Sequence, residues 1–120
     1  MAETSWGTMV MRRGKEKGAL KLVNALRRQA QRAQPGTMVY LVHRKLDAKG
    51  NPTRELFFYE RYRNKAALKA HLASPSWKAM VAHWPEFFEG TGPADGGPFI
   101  RLVRIGGFAR EGAIPIRSAR

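Results

Sequence analysis

Apolar and polar residues alternate along this chain in two different rhythms. Between Glu16 and Ala33, the residues Leu22, Val23, Leu26, Ala30 and Ala33 recur at spacings of three and four, with Lys21, Asn24, Arg27, Arg28, Gln31 and Arg32 between them. That is the period of an amphipathic helix, and Gln34-Pro35-Gly36 ends it with helix breakers. From Thr37 to Lys45 the period becomes two. Met38, Tyr40, Val42 and Arg44 are expected on one face of a strand, and Val39, Leu41 and His43 on the other. The turn-forming run Asp47–Pro52 leads into a strand over Arg54–Tyr62, so residues 37–62 read as a hairpin.

The flanking segments complete the pattern. Residues 1–5 are expected to fray, and Trp6–Met11 suits a strand. Asn64 is placed to cap a helix over Lys65–Leu72. Ser74 caps and Pro75 opens another helix, expected to run to about Phe88. Gly90–Pro98 reads as a loop and Phe99–Ile105 as the last strand. Gly106-Gly107 then releases a basic tail, residues 107–120, whose Ile114-Pro115-Ile116 either docks on a neighbour or stays loose.

The order strand, helix, strand, strand, helix pair, strand predicts a ferredoxin-like α+β domain over residues 6–106. A four-stranded antiparallel sheet would carry its helices on one face. Such a sheet should alternate apolar and polar residues if its other face meets water. Leu56-Phe57-Phe58-Tyr59 and Val39-Tyr40-Leu41-Val42 are instead apolar on both faces. A second copy of the same sheet is the simplest cover, which predicts a homodimeric α+β barrel.

Composition narrows the class. A chain of 120 residues with 43% apolar content supports one folded domain. The absence of cysteine excludes disulfides and thiolate metal sites. No apolar run reaches the roughly 20 residues that span a bilayer, and no secretory signal pattern opens the chain. A cytoplasmic protein without a membrane partner is expected. The net charge of +13, from 22 basic against 9 acidic residues, attracts anions of any kind. The bases are scattered along the chain, so they read as a solvated surface rather than a nucleic-acid interface.

Three motifs then stand together: Tyr59-Glu60-x-Tyr62, Ala67-Leu68-x-x-His71 and Ser74-Pro75-x-x-Lys78. With Pro35-Gly36-x-x-x-Tyr40-x-x-His43-Arg44, they resemble the antibiotic biosynthesis monooxygenase family, small dimeric α+β barrels that include quinol monooxygenases and anthrone oxygenases. The resemblance spans roughly residues 9–106. It implies a monooxygenase that needs neither metal nor flavin and acts on a quinol, an anthrone or a related polyketide aromatic. A deprotonated substrate reacts with O2 directly, while the protein holds a flat ring, accepts a proton and stabilises an anion. A haem-degrading branch uses a related barrel. The positions of its Asn, Trp and ligating His correspond here to Gly7, His71 and Val81, so none matches.

His71 shares the inward stripe of its helix with Leu68 and Leu72 and is a candidate base; a structural histidine bound to a loop carbonyl is the competing reading. Glu60 ends an apolar strand. It is either a base of raised pKa or, as expected here, paired with Arg44 or Arg101. His43 is a third candidate, suited equally to a pocket or a dimer contact, and His83 ranks below it. Tyr40, Tyr62, Trp77, Met80, Trp84 and Arg101 are the candidate substrate-binding residues. Trp77, Met80, Val81 and Trp84 also fit simple core packing at helical spacing. No metal site is expected, because His43, His71 and His83 lack ligand spacing. An isomerase of a phosphorylated sugar-derived signal, or a non-catalytic ligand-binding or stress-linked barrel, remains the alternative on the same fold.

Overall fold

The computed structural model describes residues 1–90, 92 and 99–114. Its elements are β1 (Glu3–Val10), α1 (Glu16–Ala33), β2 (Thr37–Leu46), β3 (Pro52–Tyr62), α2 (Lys65–Leu72), α3 (Pro75–Ala82), α4 (Trp84–Phe87) and β4 (Phe99–Leu102). The four strands pair antiparallel in the order β2-β3-β1-β4, the ferredoxin-like arrangement.

The hairpin closes on Asp47, whose Oδ1 accepts from the backbone N–H groups of Lys49 and Asn51. One face of the sheet carries the core. Met9 of β1, with Leu56 and Phe58 of β3, packs against Ala19, Val23 and Leu26 of α1, Met80 of α3 and Trp84 of α4. Each large apolar side chain buried there contributes roughly 1.5–3 kcal/mol. Side-chain alternation places Trp6, Val39, Leu41, Phe57, Tyr59, Ile100 and Leu102 on the opposite face. Trp6 stacks on Phe57 there at 5.0 Å between ring centroids. Phe57, Ile100 and Leu102 are exposed.

Beyond shifts of one or two residues at strand ends, the structure departs from the sequence expectations at five places. β1 begins at Glu3 rather than Trp6, because it is an interior strand held by β3 and β4 from its first residues. A register shift between Thr37 and Val39 puts an extra residue in β2, so Met38 is exposed and does not share the face of Tyr40 and Val42. The expected helix to Phe88 breaks at His83, which ends α3 and starts α4. Pro85 causes the break: it has no N–H to donate, and its ring disfavours a continuous helix through Val81 and Trp84. β4 stops at Leu102 rather than Ile105, since its last partner in β1 is Thr4. Ala33 is exposed, so the buried stripe of α1 is Ala19, Val23, Leu26 and Ala30. Most of the expected loop Gly90–Pro98, and Pro115-Ile116, lie outside the described residues. None of the described helices is long and apolar enough to cross a membrane.

Candidate functional site

β3 ends with Glu60 and Tyr62 on its helix-covered face, two residues apart and therefore side by side. α2 follows after two residues. The Asn64 side chain caps it by accepting from the Ala67 N–H at 2.9 Å. Six residues after α2 begins at Lys65, His71 is turned inward and is 1% exposed. Ser74 then caps α3, accepting from Trp77 N–H at 3.2 Å, which sets Trp77 beside the histidine. The His71 ring lies 5.4 Å from Tyr62, 5.6 Å from Trp77 and 5.7 Å from Tyr40. Phe99 of β4 stands 6.3 Å from Trp77.

Beside these side chains lies a half-open cavity of about 180 Å³ between α2, α3 and the sheet. Glu60, Tyr62, His71, Trp77, Phe99 and Arg101 line it, together with Ser5, Leu68, Leu72 and Ile100. Its walls are mainly apolar and aromatic, and its polar groups converge from β3 and α2.

The electrostatics of these groups follow from burial. Burial pushes the Glu60 carboxyl up to about 7, and the Tyr62 hydroxyl, donating to Oε1 at 2.5 Å, only partly opposes this. Tyr62 and Tyr40 are raised well above the ordinary phenol value, by burial first and by the nearby Glu60 charge second. Burial lowers His71 to about 4, so its ring is neutral near pH 7. Its Nδ1 is 2.8 Å from the side-chain oxygen of Gln34. Among the described residues, Glu60 Oε2, His71 Nε2 and Tyr40 Oη are buried without a hydrogen-bond partner. A small site with unused acceptors and donors can hold a flat molecule bearing hydroxyl or carbonyl groups.

Several sequence expectations change here. Glu60 pairs with Tyr62 and not with an arginine: Arg44 Nε donates to Thr53 O at 2.6 Å, and Arg101 Nη2 to Glu3 at 2.9 Å. The competing reading of His71 named a loop carbonyl, but the partner is a side-chain amide. His43 is exposed on the opposite face of the sheet, edge-on to Phe57 at 6.3 Å, and takes no part in the cavity. Met80 and Trp84 are buried in the hydrophobic core rather than at the cavity wall. Tyr40 packs beside His71 without lining the cavity. His83 is exposed and contacts Glu86 at 3.3 Å. Arg101 lines the cavity, its charge shared with Glu3.

Gln34 and Phe99 were not anticipated as neighbours of the site. Gln34 carried a signal: it lies four residues after Ala30 and prolongs the buried stripe of α1 past its last turn. Phe99 carried none beyond its strand position.

A family model for antibiotic biosynthesis monooxygenases matches residues 7–83, which contain Glu60, Tyr62, His71 and Trp77. The chain belongs to this family. Solved structures share the fold. A Mycobacterium tuberculosis protein, Rv0793, superposes with a TM-score of 0.72 at 21% identity, covering 91% of this chain and 100% of its own. The Pseudomonas aeruginosa protein PA3566 gives 0.70 at 17% identity, covering 88% and 95%. A Caulobacter crescentus protein named for the same family gives 0.71 at 20% identity, covering 88% and 91%. No curated protein matches the chain.

Proposed function

We propose that this family member is a cofactor-independent monooxygenase of a hydroxylated aromatic, a quinol or anthrone, with its reaction centre in the Glu60–His71 cavity. The observation that carries this reading is the meeting of two buried, differently tuned bases inside aromatic walls. A carboxyl near 7 can take a phenolic or benzylic proton at physiological pH, whereas a histidine near 4 is too weak a base. Glu60 is therefore the proton acceptor, and neutral His71 accepts a hydrogen bond from the substrate. Trp77 and Phe99 hold the ring. The substrate anion supplies all the electrons: one oxygen atom of O2 enters the ring system and the other leaves as water. No separate reductant is required by that balance.

The isomerase alternative has less support, since a phosphate needs cations and Arg101, the cation of the cavity lining, already serves Glu3. The opposite sheet face, which carries no helix among the described residues, supports a two-fold dimer joined through Trp6, Leu41, Phe57 and Tyr59, because a contiguous apolar face of this kind is costly in water.

Oxygen uptake with anthrone or a reduced naphthoquinone in metal-free buffer tests the reaction. Uptake above autoxidation, lost in Glu60→Gln, is expected. Uptake equal to autoxidation across a panel of quinols and anthrones would sink the reading.

A further inference from the structure

Gln34 is a buried polar side chain at the end of α1, far in sequence from the motifs of the site. Its amide is engaged on both sides. Nε2 donates to Gln29 Oε1, while Oε1 accepts from the Thr37 hydroxyl at 3.2 Å and faces His71 Nδ1 at 2.8 Å. An amide held in this orientation offers the histidine an oxygen, which can only accept. The proton of the neutral imidazole must then sit on Nδ1.

We propose that Gln34 is a positioning residue that locks His71 in its Nδ1–H tautomer, so that Nε2 stands toward the cavity as a permanent acceptor for a ligand hydroxyl. Two further observations agree with this. Nε2 is buried and has no partner among the described residues. A buried N–H left unpaired is rarer and costlier than an unpaired lone pair, so the bare nitrogen is the tolerable orphan. Gln34 is also uncharged. A carboxylate in its place would favour imidazolium, whose Nε2–H donates to a ligand oxygen and can no longer accept the hydroxyl proton. The exposed His43 and His83 have no such partner in the cavity, which makes them internal references.

The inference deepens the oxygenase reading only in its meaning for substrate. The tautomer can be measured on the protein without any ligand, so a wrong reaction assignment would leave the result intact. The experiment is a long-range ¹H–¹⁵N correlation spectrum of the histidine rings at pH 7, in the wild type, Gln34→Met and Gln34→Glu. In the wild type, His71 is expected to show the Nδ1–H pattern with Nε2 unprotonated. Gln34→Met, which keeps volume but removes the acceptor, should shift His71 toward Nε2–H. Gln34→Glu should restore protonation at Nδ1. A wild-type Nε2–H pattern overturns the proposal, as does a Gln34→Met spectrum identical to wild type. Should Gln34→Met fail to fold, the wild-type spectrum alone still decides, because the Nδ1–H tautomer is the direct claim.

Discussion

Tyr62 and Glu60 are joined by a 2.5 Å hydrogen bond between side chains two residues apart on one strand face. The bond is buried, and the phenol is its donor. It is the interaction opposing the rise in the Glu60 pKa that burial imposes. A carboxylate stabilised by a single neighbouring hydroxyl remains a usable base, where a full arginine pair would have made it inert.

Removing that hydroxyl should raise the Glu60 pKa further. In Tyr62→Phe the rising limb of kcat/KM, expected near pH 7 in the wild type, should move to higher pH by about one unit, the size of a lost charge-assisted hydrogen bond. A pH–rate profile on a quinol substrate reads this directly. A limb left in place would show that Glu60 is not the titrating base.

Folding stability should show two opposing pH slopes. Glu60 rises from its ordinary 4.5 to about 7 on folding, so its contribution is complete below about 4.5 and is lost as pH climbs to 7. The full loss is on the order of 3 kcal/mol. His71 falls from 6.5 to about 4, so its contribution is present above 6.5 and is lost as pH drops toward 4. Between about 4.5 and 6.5 the two slopes cancel, and above that Glu60 acts alone. Glu60→Gln should therefore be more stable than wild type at pH 8 and should unmask a stability that increases with pH from 4 to 6.5. Urea midpoints measured across this range test both signs.

Gly36 has no room for a side chain. A Cβ there would stand 2.6 Å from the Cβ of Ala67 in the first turn of α2, and neither atom can move without its backbone. Gly36→Ala should cost roughly 1–3 kcal/mol by overpacking. The double variant Gly36→Ala with Ala67→Gly should recover part of this, although glycine inside a helix costs about 1 kcal/mol. Thermal midpoints of the two single variants and the double variant give the coupling between them.

The uncovered sheet face should decide assembly. Phe57→Lys sets a charge beside Trp6 in the centre of that face and leaves the opposite, core-bearing face untouched. If the face joins two copies, the variant should sediment as a monomer with the secondary structure of the wild type. Equal masses for the two proteins would remove that interface.

The legibility of the chain in its sequence was uneven, for physical reasons. α1, the hairpin and both side-chain caps carry local signals: a 3.6-residue period, a turn run, and Asn or Ser at the cap. The motif around Glu60 and His71 pointed to the family that the chain belongs to. What the sequence did not reveal depends on contacts distant in the chain. The strand period sets Glu60 beside Tyr62, but nothing local says that Arg101 is taken by Glu3, 98 residues away. Trp77 and Trp84 look equivalent at helical spacing, yet the break before Pro85 sends one to the cavity and the other to the core. Gln34 was legible as a helix end and illegible as the partner of His71, because that pairing needs the whole β2–β3–α2 excursion to return.

β4 gives the cavity three of its lining residues, Phe99, Ile100 and Arg101, while pairing with β1 over only four positions. Among the described residues its other edge has no strand partner. The wall of the site thus belongs to the part of the sheet with the fewest ladder bonds to break. Local opening of β4 would widen this half-open cavity at a fraction of the free energy needed to part β1 from β3. Amide exchange in Phe99–Leu102 should accordingly outpace that of the central strands, so the cavity's size is set by the edge of the sheet that frays first.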